Sequence, residues 1–83
     1  MEQYLIMCRS LTHAQRSSRL LERSGIVSTV IRAPQELRKA GCGYALSLYR
    51  HFEEAVGILK RNQLINGKLY KMRDDGGYTE VMA

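Results

Sequence analysis

Short apolar runs alternate with amphipathic segments, and this alternation is the feature that most constrains the fold of the chain. Four runs are rich in apolar or β-branched residues, as is typical of strands: 4–8, 26–31, 44–50 and 68–73. Two segments, at about 13–24 and 52–63, have apolar residues at the spacing of one helix face, and they follow the first and third runs. The predicted order is therefore β-α-β-β-α-β.

Turn and cap signals agree with this order. Ser10 and Thr12 both offer a cap for the first helix, and Thr12, followed three residues later by Gln15, resembles a capping box. Gly25 is in the position that commonly ends a helix. A polar loop, with one helical turn after Pro34, joins the second and third strands. The turn at 74–77 predicts that residues 78–82 return as a short extra edge strand.

This order predicts an α+β protein of the ferredoxin-like βαββαβ type. Right-handed crossovers place both helices on one face of a four-stranded antiparallel sheet, with an extra C-terminal edge strand left open. With 83 residues, of which 45% are hydrophobic, we expect a single domain over residues 1–83. The fold class alone does not predict a function.

A cysteine between two glycines, Gly41-Cys42-Gly43, stands directly before the third strand. Glycine lacks side-chain bulk and adopts backbone conformations closed to other residues, so a large partner could approach this thiol. In the predicted topology the first and third strands are antiparallel neighbours. The end of the first strand, Cys8, is therefore expected at the same sheet edge as Cys42, beside the start of the first helix.

Candidate cations lie in the loop that leads to this cysteine, namely Arg32, Arg38 and Lys39. Cations and a helix N-terminus favour the thiolate, which is the nucleophilic form of cysteine. We therefore predict Cys42 to be a nucleophilic or group-carrying residue. Cys8 is either its resolving partner or a buried strand residue, and a packing role for Cys42 in a tight turn stays open.

The other side chains form no recognised catalytic or metal-binding set. His13 is a candidate base for the thiol, but a Cys–His pair without a third orienting group is a weak catalytic set. We expect instead a solvated histidine in the first helical turn. Two cysteines and one nearby histidine fall short of a zinc site, and no phosphate-binding loop is present, so we expect no metal and no cofactor.

Charge and cysteine content bear on partners and compartment. The net charge of +5 fits an acidic protein, a nucleic acid or an anionic metabolite as partner. Two cysteines without a signal peptide favour a reducing compartment. No apolar run approaches the roughly 18 residues that a membrane span needs. We expect a cytoplasmic protein without a membrane partner.

An RNA-binding domain is one alternative, because RNA-recognition domains share the fold and the basic charge. In that alternative Tyr44, Leu46 and Leu48 would face RNA. The residues on the other face, Ala45, Ser47 and Tyr49, would be buried. The former set makes the better core face, so we do not expect nucleic-acid binding. Another alternative is a regulatory or assembly module that forms a homo-oligomer through an open sheet face or an edge strand.

The ordered features resemble the small selenium/sulfur carrier-like protein family over nearly the whole chain. The matching segments are 4–6, 20–26, 31–37, 41–46 and 52–55. The most specific is Gly41-Cys42-Gly43-Tyr44-Ala45-Leu46, which is similar to the family's Cys-Gly-x-Ala-Leu signature. The chain departs from the family pattern in its extension over 74–83 and in the residues 39–41 before the cysteine.

The resemblance implies that Cys42 accepts sulfur or selenium as a persulfide or perselenide. The residues around it, Gly41, Gly43 and the first helix N-terminus, would then stabilise the terminal anion. The partners would be donor and acceptor proteins, and the chain would act as a carrier without independent turnover rather than as an enzyme.

Overall fold

The computed structural model describes residues 2–40, 43–65 and 67–81, except the side chains at 39 and 40. Two α-helices and five strands account for most of this part of the chain. In chain order the elements are β1 (Tyr4–Cys8), α1 (Leu11–Arg23), β2 (Thr29–Arg32), a 3₁₀ helix (Gln35–Ala40), β3 (Tyr44–Leu48), α2 (Phe52–Arg61), β4 (Leu69–Met72) and β5 (Tyr78–Val81).

The first helix begins two residues earlier than its sequence predicts. Its N-cap is Ser10, whose Oγ accepts a hydrogen bond of 3.1 Å from the backbone N–H of His13. Of the two predicted caps, Ser10 is therefore confirmed. The capping box at Thr12 is wrong, because Thr12 lies inside the first turn. This start brings α1 within two residues of the end of β1.

The same helix ends as predicted, at a glycine in the left-handed conformation. Gly25 has a φ of 81° and donates to the carbonyl of Glu22, and the N–H of Ile26 bonds to the carbonyl of Leu21. These two bonds make a Schellman motif, with Ile26 buried behind it. Because Ile26 belongs to this cap, β2 begins at Thr29 instead of Ile26.

All five strands form one antiparallel sheet in the order β2-β3-β1-β4-β5. The sheet differs in strand count from the predicted four-stranded ferredoxin-like sandwich, and the added strand is the C-terminal edge strand that the sequence also predicts. The reason is the turn at 74–77, where Gly76 has a φ of 87° and Arg73 pairs with Gly77 through the backbone. The chain thus returns along β4 as the edge strand β5.

Both helices pack on one face of the sheet. Alternate strand residues point to them, since Ile6, Cys8, Leu46 and Leu48 form one buried cluster together with side chains of both helices. The helix residues of this cluster are Ala14 and Leu21 from α1, and Ala55, Val56 and Leu59 from α2. The predicted inward face of the third strand is therefore confirmed.

The opposite face of the sheet carries a smaller core of its own. Leu5, Met7, Ala33 and Ala45 are buried there. Leu37 of the 3₁₀ helix and the half-buried Ile31, Tyr70 and Tyr78 pack against them. The polar loop between β2 and β3 therefore covers part of the sheet and is packed against it.

Candidate functional site

One edge of the sheet collects most of the described residues that the sequence singles out. Cys8 at the end of β1 pairs with Tyr44 at the start of β3, and Tyr44 in turn pairs with Arg32 at the end of β2. Paired residues of neighbouring strands point to the same face, so these three lie side by side on the helix face. The predicted meeting of the end of β1 with the start of β3 is confirmed.

Two hydrogen bonds, one between backbone groups and one from a side chain to the backbone, hold the loop beside this edge. Ala33 N–H donates to the carbonyl of Gly43 at 3.0 Å, which extends the β2–β3 ladder beyond Arg32. Arg38 Nε donates to the carbonyl of Ala33 at 2.7 Å and closes the loop that contains the 3₁₀ helix. A charge-assisted bond of this length holds the loop against the sheet.

The two described arginines of the loop have different surroundings. The guanidinium of Arg32 lies over the ring of Tyr44, 5.8 Å from its centroid, in a cation–π contact. The side chain of Arg38 is instead bound to the loop backbone. Arg32 is thus a cation held beside the start of β3, whereas the bonded Nε of Arg38 has a structural role.

Cys8 lies in the core between the sheet and the helices. Its side chain is fully buried, and its Sγ donates to the carbonyl of Ile6 at 3.4 Å. A thiol in this position is out of reach of a large partner. The burial fits the interpretation of Cys8 as a strand residue, one of the two that the sequence left open.

The N-terminus of α1 follows directly after Cys8. Ser10 binds two of the four N–H groups of the first turn, since its Oγ accepts from His13 and its carbonyl accepts from Ala14. The amides of Leu11 and Thr12 are the other two donors of this turn. The edge thus has N–H groups and the positive end of a helix dipole beside it.

His13 differs from its sequence-based expectation. Both ring nitrogens are buried, and neither has a hydrogen-bond partner within the described part of the chain. This corrects the prediction of a solvated first-turn histidine. Because α1 begins at Leu11, His13 occupies the third helical position and its ring turns toward the body of the protein.

Gly43 is open to its surroundings. A Cβ added to it would meet no described atom within 4 Å, and its φ is not in the left-handed region. Neither close packing nor backbone conformation therefore requires a glycine here. Gly41 and Cys42 lie outside the described residues, as does the side chain of Lys39.

Aromatic residues that an RNA-binding interpretation would expose are turned toward the helices. The ring of Tyr4 stacks on Phe52 at the start of α2, with centroids 4.3 Å apart, and Tyr44 packs against the helix-side core. Tyr4 and Tyr44 therefore lie on the helix side of the sheet and not on the face where the RNA interpretation places them.

Within the described segments, no group of three or more His, Cys, Asp or Glu residues could hold a metal ion, and no helix is long and apolar enough to cross a membrane.

Comparison with known families identifies the chain. The family described as Putative Se/S carrier protein-like matches residues 3–71. The chain belongs to this family. The predicted resemblance is confirmed, and the matched stretch contains both cysteines and the whole of the sheet edge described above.

This Se/S carrier-like chain continues past the matched region. The match ends at Lys71, within β4, so the turn at 74–77 and β5 lie beyond it. The sequence-based departure over 74–83 therefore corresponds to the added edge strand. No curated protein and no solved structure matches the chain significantly.

The sequence left one feature of the edge open and missed another. Ser10 and Thr12 were both candidate caps, and the structure selects Ser10. The contact of Arg32 with Tyr44 has no local sequence signal, because it depends on the β2–β3 register.

Proposed function

We propose that this chain is a carrier that holds sulfur or selenium on Cys42, as a persulfide or perselenide, and passes it from a donor enzyme to an acceptor enzyme. Membership of the Se/S carrier-like family over residues 3–71 supports the proposal. The observation that carries it is the pairing of Cys8 with Tyr44. This pairing holds the chain that follows Cys42 at the edge where α1 begins.

The chemistry is a thiol–persulfide exchange. The Cys42 thiolate attacks the outer sulfur of a donor persulfide and forms a new S–S bond to it. The bond between the two donor sulfurs breaks, and the inner sulfur leaves with the electron pair as the donor thiolate. The proton of the outer sulfur stays on it or is lost to water. The exchange involves no net oxidation, because one S–S bond breaks as the other forms. In the transfer, the acceptor thiolate attacks the outer sulfur of the Cys42 persulfide, the S–S bond at Cys42 breaks, and Cys42 leaves as the thiolate.

A carrier also needs groups that stabilise the terminal anion of the persulfide. The first-turn amides of Leu11 and Thr12 and the guanidinium of Arg32 are the donors that we propose for it. His13, with both ring nitrogens buried and unbonded to the described residues, is a further polar group near this edge. We assign it a positioning role.

Access is the third requirement, because donor and acceptor enzymes must both reach the same thiol. The open space at Gly43 supports this, since a glycine that the backbone does not need leaves room for a partner. A chain with these features exchanges a group with its partners and does not turn over a substrate alone. We expect it to act in the reducing cytoplasm, where its thiol remains reduced.

The test is mass spectrometry of the protein after incubation with a cysteine desulfurase and cysteine. We expect one added sulfur atom, about 32 Da, on the peptide that contains Cys42. Cys42→Ala should abolish the adduct, and the matched control Cys8→Ala should keep it.

Failure to load Cys42 under conditions that load a known sulfur carrier would refute the proposal. A dimer that persists on dilution and hides Cys42 from thiol reagents would instead support the assembly module.

A further inference from the structure

A groove runs along α1, on the side where the helix meets the loop that follows α2. It is a cleft of about 350 Å³ with Arg16, Arg19 and Arg23 along one side. Leu20 and Leu64 lie half-buried in it, and Thr12 lies at its N-terminal end. We call this surface the arginine groove. Its lining in the described part of the chain contains cations, apolar side chains and neutral polar side chains, but no carboxylate.

Charge pairing is distributed unevenly over the molecule. The described ion pairs made by lysine or arginine lie on or next to β4: Lys68–Glu80 at 3.6 Å, Lys71–Glu2 at 2.9 Å and Arg73–Asp75 at 3.2 Å. Within the described residues, none of the three groove arginines makes an ion pair. Three of the described cations that have no carboxylate partner therefore line the same groove.

Helix electrostatics does not favour all three of these arginines. Arg16, Arg19 and Arg23 are spaced i, i+3 and i+7, so the Cβ atoms of neighbouring arginines lie about 5–6 Å apart and their like charges are unfavourable along the helix. The helix dipole favours a cation only in the last turn, which explains Arg23 but not Arg16 or Arg19. A row of like charges over apolar side chains is instead what an anionic ligand would stabilise.

We infer that the arginine groove is a docking surface for an acidic segment of a partner protein. From Thr12 to Arg23 the helix rises about 16 Å, which is the length of about five extended residues. Guanidinium groups bind carboxylates in bidentate pairs, and Leu20 and Leu64 offer an apolar contact between them. The occupant is thus a short segment that carries Glu or Asp with interspersed apolar residues.

The groove begins at the same end of α1 as the candidate site. Thr12 is in the first helical turn, next to the amides that we propose for the persulfide. A partner held along the groove therefore has one end beside the sheet edge that carries Cys8 and Tyr44. The identity of this partner as donor or acceptor rests on the proposed carrier function, but the binding of acidic segments does not.

The experiment measures fluorescence anisotropy of a labelled octapeptide, Glu-Glu-Leu-Glu-Glu-Leu-Glu-Glu, with the full chain. We expect salt-sensitive binding that Arg16→Gln combined with Arg19→Gln weakens about tenfold, the combined effect of two partly exposed ion pairs. The matched control combines Lys60→Gln with Arg61→Gln on α2, which removes the same charge from exposed positions outside the groove. We expect the control to change the affinity by less than about twofold.

Equal losses of peptide affinity in the groove variant and in the control would overturn the inference, because such losses would reflect the net charge alone. Tighter binding of labelled single-stranded oligouridylate than of the peptide, lost in the groove variant, would overturn it in favour of a nucleic-acid surface.

Loading of Cys42 by inorganic polysulfide, which needs no docking, is measured in parallel. Failure to load with groove-dependent peptide binding intact would refute the carrier proposal and leave the docking surface standing.

Discussion

Ser17 offers the sharpest test of the packing beneath α1. It is fully buried between the helix and the sheet, and its Oγ has no hydrogen-bond partner among the described residues. An unsatisfied buried hydroxyl costs about 1–3 kcal/mol of folding free energy. We therefore predict that Ser17→Ala stabilises the protein.

The magnitude follows from three contributions. Removing the unsatisfied hydroxyl of Ser17 contributes about 1–3 kcal/mol, and the higher helix propensity of alanine adds about 0.5 kcal/mol. The small cavity left by one oxygen atom costs about 0.3 kcal/mol. The net expectation is a gain of at least about 1 kcal/mol. For a domain of this size the melting temperature would then rise by at least about 4 °C.

The neighbouring residue is a matched control for this substitution. Ser18 lies on the same helix, and its Oγ accepts a bond of 3.1 Å from Ser28 Oγ. Ser18→Ala has the same gain in helix propensity but loses that bond, worth about 0.5–1.5 kcal/mol, so we expect no gain or a small loss.

Both variants are compared with the parent chain by urea unfolding, with the free energy obtained from the midpoint and the slope. If Ser17→Ala were as neutral as Ser18→Ala, or destabilising, the hydroxyl would have a partner in solution and the reasoning would be wrong.

Three further substitutions test the site and its support. His13→Leu should stabilise the protein by about 1–2 kcal/mol in urea, because it removes buried unbonded nitrogens, while slowing sulfur loading of Cys42. Gly67→Ala should destabilise by about 1–3 kcal/mol in the same assay, since its Cβ would lie 2.8 Å from the carbonyl oxygen of Met7. Gly43→Ala should raise stability by about 0.4–1 kcal/mol, because the site is open, but slow loading from a desulfurase measured by mass spectrometry.

Each of these three predictions has an outcome that would contradict it. Unchanged loading in His13→Leu would remove the histidine from the proposed site. An unchanged free energy of unfolding in Gly67→Ala would mean that β1 and the chain before β4 can move apart at little cost in free energy. Normal desulfurase loading of Gly43→Ala would show that the glycine is not needed for partner access, whereas inorganic polysulfide is the control donor that should load this variant normally.

The sequence predicted the class and the order of elements correctly because the local signals agree with one another. Alternation in 44–48 assigned Leu46 and Leu48 to the helix-side core, and Gly25 marked the end of α1. The errors lie where two local signals compete. Ser10 and Thr12 are both good caps, and only the path of the chain out of β1 decides between them.

The second, smaller core could not be predicted from periodicity. Ala45 and Leu5 point away from the helices, and nothing in their own segments shows that Leu37 will cover them. That contact depends on how the loop after β2 folds back over the sheet. The burial of His13 is of the same kind, because a first-turn histidine is polar by sequence and its surroundings come from other elements.

By itself, the sequence determined the α+β class, the inward face of the third strand, the resemblance to the Se/S carrier-like family and the choice of Cys42 as candidate thiol. These depend on short-range periodicity and on a local motif, which the chain carries without reference to distant residues. Only the tertiary structure decided that Arg32 lies over Tyr44, that Leu37 covers the second core, and that the α1 arginines make no ion pair with the described residues. The physical reason is that strand register and ion pairing join residues far apart in the chain, so they follow from the packing of the whole molecule.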